Sequence, residues 1–119
     1  MSKSIIKDKS FVFAVRVVNL YKLVTSERKE FVISKQLLRS GTSIGANVRE
    51  AVNGQSSADF IHKLSIAQKE CDETMYWLAL LKETNYINGK EFTSMNKDAM
   101  ELLKIIRSII ITTKKTHNL

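Results

Sequence analysis

Proline is missing from this 119-residue chain, and only four of its residues are glycine. Average usage is about 5% Pro and 7% Gly. An all-β sandwich or barrel of this length needs many turns, and those two residues supply most of them. Their scarcity points instead to long helices that nothing interrupts. Cys71 is the only cysteine, which excludes an intrachain disulfide and a cysteine-based zinc site. The longest nearly apolar run, Phe11 to Val24, is broken by Arg16, Asn19 and Lys22 and falls short of the roughly 20 residues a membrane span needs. The first ten residues lack the apolar stretch and small-residue site of a secretory signal. A soluble, cytoplasmic, all-α protein of one domain, residues 1–119, is the expectation.

Charge is present in excess and unevenly placed. Residues 1–49 hold ten Lys/Arg against Asp8, Glu27 and Glu30, whereas residues 50–119 hold nine of each sign, so the net +7 belongs wholly to the first two-fifths. Such a field favours a polyanion and also aids solubility.

Hydrophobic spacing and capping residues divide the chain into four helices, at about 8–25, 27–53, 57–85 and 89–113. Thr25 and Ser26 read as the first turn, with Glu27 and Glu30 opening the next helix. Leu37, Leu38, Gly41, Ile44, Gly45, Val48 and Val52 mark one face of helix two, and Gly54 stands where a C′ glycine belongs. Ser56 to Asp59 and Asn88 to Glu91 are N-cap signatures, with Ile87 and Phe92 at staple positions. Connections this short favour antiparallel neighbours, hence an up-down-up-down four-helix bundle.

Helix one does not suit the surface of such a bundle. Eleven of the fourteen residues from Phe11 to Val24 are apolar, leaving a thin polar strip. A surface helix should be polar over about half its circumference. Phe11, Phe13 and Val17 are therefore candidates for helix packing or for an interface between copies, and self-association follows.

Helix two carries the clearest basic feature. At 100° per residue Arg28, Lys35, Arg39 and Arg49 fall within about 80° of one another, opposite the apolar stripe. They are candidate phosphate contacts for RNA or DNA, set against the plainer reading of a solvated basic face. No aromatics interleave with them as single-strand binders usually require. Ser40-Gly-Thr-Ser-Ile-Gly-Ala46 lacks the Gly-Lys-Ser/Thr ending of a phosphate loop. Its glycines, Gly41 and Gly45, read better as a face where two helices approach closely. Asn47, beside them, is placed to hydrogen-bond across the bundle or between subunits.

Catalytic and metal chemistry find little support. A di-iron bundle needs Glu-x-x-His, which is absent; Asp59-Phe-Ile-His62 is the one acid-x-x-His. Glu70, Asp72 and Glu73 read as salt-bridging residues, Cys71 as core, and Trp77 beside Tyr76 as core rim or interface anchor. No cofactor, metal or catalytic residue is expected.

Arg39-Ser-x-x-Ser-Ile-x-x-Asn-Val-x-Glu50, then Asp59-Phe60, then Glu73-Thr-x-x-Trp77-Leu78 resemble the four-helix-bundle proteins encoded in intervening sequences of bacterial 23S ribosomal RNA genes. The likeness runs from about Ile6 to Ile111 and departs at Ala51, where many members have Gly. The family is similar to the accessory variability protein of diversity-generating retroelements, a basic pentameric barrel that binds nucleic acid and a reverse transcriptase. The resemblance therefore implies a ring or barrel of five copies, nucleic-acid binding and no known catalytic residue. An alternative expectation is a protein-protein interaction scaffold whose charge serves solubility alone.

Overall fold

The computed structural model describes residues 2–119, with side chains from Lys3 onward. They form four helices, α1 (Ser2–Arg28), α2 (Ile33–Val52), α3 (Ser57–Glu83) and α4 (Gly89–His117), and no strand occurs among the described residues. No helix among them is long and apolar enough to cross a membrane. The molecule is a rod of 48 × 21 × 21 Å. α2 lies between α1 and α3, and α4 packs on α3 and more thinly on α1.

The starts of α3 and α4 follow their capping signatures. Ser56 accepts the Asp59 N–H at 3.1 Å. Asn88 and Glu91 close a full capping box, with bonds of 2.8 and 2.9 Å. Each bond satisfies an N–H that the helix itself leaves unpaired.

The joint between α1 and α2 differs from the expected turn at Thr25 and Ser26. Both hydroxyls bond back into the helix, Thr25 to the Tyr21 carbonyl at 2.8 Å and Ser26 to the Lys22 carbonyl at 2.6 Å. Neither is left to cap a new helix. α1 therefore runs on to Arg28, and the chain turns at Lys29, whose φ of 58° is left-handed. The Glu30 carboxylate then accepts the N–H groups of Val32, Ile33 and Ser34 at 2.9, 2.8 and 2.6 Å. That carboxylate, not a hydroxyl, starts α2. At its other end α1 begins six residues before the expected Asp8, and the added turns bury Ile6. Gly54 does follow the C-cap Asn53, but no glycine has positive φ. The left-handed positions are held by Lys29, Asn85 and Asn118.

One apolar core runs the length of the rod, centred on Phe13 and Val17 of α1, Leu37 and Ile44 of α2, Leu64 and Leu78 of α3, and Leu102 and Ile106 of α4. Gly41 and Gly45 set the α1–α2 distance. A Cβ on Gly41 would stand 2.7 Å from Val17 Cγ2, and one on Gly45 would stand 3.2 Å from the Ser10 carbonyl oxygen. Adding that methyl at residue 41 gains helix propensity of about 1 kcal/mol but overpacks a stiff, fully buried valine at about 1–3 kcal/mol. Gly41→Ala is expected to lose up to about 2 kcal/mol in urea unfolding. The double variant with Val17→Ala should show favourable coupling, and additive losses would contradict this packing.

Polar contacts tie the other seams. Thr74 donates to Ser40 at 3.0 Å between α3 and α2, and Cys71 Sγ donates to the Ala99 carbonyl at 3.4 Å between α3 and α4. Along α1 and α4 the pairs are Lys9 with Glu101, Arg16 with Asp98 and Arg28 with Glu91, so partners descend in α4 as they ascend in α1.

Candidate nucleic-acid and subunit interfaces

The basic residues singled out in the sequence separate into two groups. Arg28 ends α1 and so leaves the α2 ridge. Its guanidinium makes two bonds of 2.8 Å to the Glu91 carboxylate and one of 2.8 Å to the Tyr86 carbonyl. This pairing raises the Arg28 pKa and lowers that of Glu91. Arg39 is exposed on α2 but reaches α3, pairing with Glu70 at 3.3 Å and with Glu73. Glu73 also accepts the Trp77 indole N–H at 2.9 Å. The indole bond first, then Arg39, hold the Glu73 carboxyl below its usual range.

Lys35 and Arg49 form the second group. Both are exposed, and neither has a carboxylate partner among the described residues. At 1.5 Å per residue they stand about 21 Å apart along α2 and within about 40° around it, with Thr42 and Ala46 between them. An open line of positive charge remains there after the internal pairings are made.

The apolar candidates also divide. Phe13 and Val17 are buried in the chain's own core, whereas Phe11 is 62% exposed, with Val12, Val15, Ile5 and Leu23 exposed on the same helix. Gly41 and Gly45 face α1. Asn47 Nδ2 donates to the Ser43 carbonyl one turn back at 2.9 Å, so it bonds within its own helix and not across the bundle. That bond is the local one a short amide side chain makes most readily. Trp77 is half-buried and meets Tyr76 edge to face at 4.9 Å, while Tyr76 itself is 60% exposed. Sequence reasoning left open which of the two faces outward, since adjacent helical residues differ by only about 100°.

The remaining titratable groups are tied up or scattered. Glu70 and Glu73 belong to the Arg39 network. Burial pushes the Cys71 thiol up to about 12, so it stays a protonated core side chain. No group of three or more His, Cys, Asp and Glu among the described residues is arranged to hold a metal ion. A polar cavity of about 360 Å³ opens at one end of the rod, lined by Lys3, Gln55, Ser56, Ser57, Thr113 and His117. Sequence reasoning missed it because it gathers residues from the ends of all four helices, Ala51 and Val52 of α2 included, and from one loop.

Four helices, a core running their full length and the Arg39–Glu50 segment set against α1 define a class of small helical proteins. The chain matches the family described as 23S rRNA-intervening sequence protein over residues 2–108, and it belongs to that family. It is similar to a crystal structure, at 1.70 Å, of a protein of unknown function from the S23 ribosomal protein family of Bacteroides thetaiotaomicron. The two share 59% identity and a TM-score of 0.91, over 92% of this chain and 98% of that one. No curated protein matches.

Proposed function

We propose that the chain is a non-enzymatic bundle, its four helices antiparallel in up-down-up-down order, whose copies assemble into a ring or barrel that binds structured RNA or DNA. The opposed order of the ion pairs along α1 and α4 supports the antiparallel arrangement. The exposed apolar face of α1 supports self-association, and five copies is the number that the family resemblance puts forward. Engagement of Glu70 and Glu73 by Arg39 and burial of Cys71 favour a non-catalytic role. A cytoplasmic site of action, beside a nucleic-acid-processing protein such as the reverse transcriptase of the resembled system, goes with this reading.

The observation that carries nucleic-acid binding is the open pair Lys35 and Arg49 on the outer line of α2. Binding to duplex RNA and DNA at about 50 mM salt should weaken steeply by about 200 mM, as counterion release demands. Lys35→Glu with Arg49→Glu should lower affinity at least about tenfold without loss of helicity. Absence of binding to either polymer at low salt overturns the reading.

The scaffold alternative has its own support in Tyr76, exposed beside the Arg39–Glu73–Trp77 network, because Tyr, Trp and Arg are the residues that anchor protein interfaces. Retention of nucleic acid unchanged by Arg39→Glu with Arg49→Glu would favour it.

A further inference from the structure

We propose that the outward stripe of α1 packs against the outward face of α3 in a second copy, a head-to-tail contact that rests on the self-association inferred above. Phe11 and Val15 are 62% and 45% exposed, and Val18 continues their line half-buried. Lys7 stands one turn before Phe11 and Lys22 one turn after Val18. At 100° per residue all five lie within about 80°. Neither lysine has an ion-pair partner among the described residues.

The outer face of α3 has the opposite pattern. Tyr76 is 60% exposed and Leu80, one turn on, is half-buried. Asp72 precedes Tyr76 by a turn and Glu83 follows Leu80 by nearly one; both are exposed and without an ion pair among the described residues. Lys69 is the cation on this face. The acids are about 16 Å apart along α3 and the lysines about 22 Å apart along α1. Two lysine side chains span the difference. Because each apolar segment carries the same sign at both ends, the charges pair whichever way the helices run.

A contact between two α1 stripes is disfavoured. It would bring the lysines of both copies together, with Asp8 alone to relieve them. The backbones of α1 and α3 are not adjacent within the chain, and at one end Lys3 Nζ lies over the Phe60 ring, 4.9 Å from its centroid. A contact joining two different faces is heterologous and propagates, closing into a ring where the rotation allows it. The aromatic pair Phe11 and Tyr76 would be its anchors.

The test is the mass in solution by light scattering, with helicity checked by circular dichroism. Val15→Asp and Tyr76→Ala should each lower the association constant at least about tenfold. Asp72→Lys with Glu83→Lys should weaken assembly similarly. Mixing that variant with one carrying Lys7→Glu and Lys22→Glu should form alternating assemblies that neither makes alone, open or even-numbered because alternation cannot close a ring of five, a gain that misfolding cannot imitate. Val15→Cys and Tyr76→Cys chains mixed under oxidation should cross-link to each other; self-linking of Val15→Cys alone overturns the contact. A wild-type chain that stays monomeric at tens of micromolar overturns the self-association itself. An assembled wild type indifferent to Val15→Asp and Tyr76→Ala overturns only the α1–α3 contact.

Discussion

Replacing Phe13 by alanine is expected to cost about 3–5 kcal/mol of unfolding free energy, while Phe11→Ala leaves the monomer within about 0.5 kcal/mol. The two rings stand two residues apart on α1, yet Phe13 is 2% exposed and Phe11 is 62% exposed. Phe13 faces the core between α1 and the rest of the rod, and its truncation removes transfer energy and opens a cavity that the long helices cannot collapse around. Phe11 has no such neighbours to lose within one chain. Under the proposed self-association its effect should grow with protein concentration, because an interface stabilises only the assembled species. Urea unfolding of both variants at two widely separated concentrations checks this. Equal losses from the two substitutions at low concentration would place the stripe inside the monomer's own core.

Glu30→Ala is the second large effect, expected at about 2–3 kcal/mol, because one carboxylate serves three backbone N–H groups at the start of α2. No hydroxyl cap stands in reserve, since the N-cap Val32 has none to offer. Burial alone would push the Glu30 carboxyl up, but the bonds from Ile33, Ser34 and Val32 together outweigh it and hold the pKa below its usual value. A depressed carboxylate stabilises the fold fully above its unfolded value, about 4.3, and loses that contribution as pH falls through the folded value. Glu73 and Glu91 are lowered as well and act with the same sign. The stability gap between wild type and Glu30→Ala should therefore be constant near neutrality and shrink below about pH 4.3. Thermal melts across that range measure it, and a gap unchanged down to about pH 2 would count against the carboxylate cap.

Much of the fold is legible in the residues because its signals are local. Asn88 and Glu91 sit three residues apart, so their reciprocal bonds can be read from the chain, and the stripe through Leu37, Ile44 and Val48 repeats at helical spacing. The α1–α2 joint is not legible in the same way. Lys29 to Val32 contains neither Gly nor Pro, and the hydroxyls that resemble a cap spend themselves on their own helix. The candidate site shows the same division. Spacing aligns Lys35, Arg39 and Arg49, but only the packing of α3 shows that Arg39 meets Glu70 and Glu73, and only that of α4 shows that Arg28 meets Glu91. A carboxylate more than thirty residues away leaves no mark in a helix's own periodicity.

The thin seam between α1 and α4 responds to salt. Every other pair of helices with neighbouring backbones is consecutive in the chain, and this seam brings residues from the two ends together. Closing it joins residues far apart in the chain, and its sparse backbone contacts give it less local stability than the other seams. Partly exposed lysine, arginine and carboxylate groups hold much of it shut, and ions in solution screen such pairs. Raising the ionic strength therefore weakens the pairs along this edge and leaves its apolar contacts, such as Leu20 and Met95, to hold it.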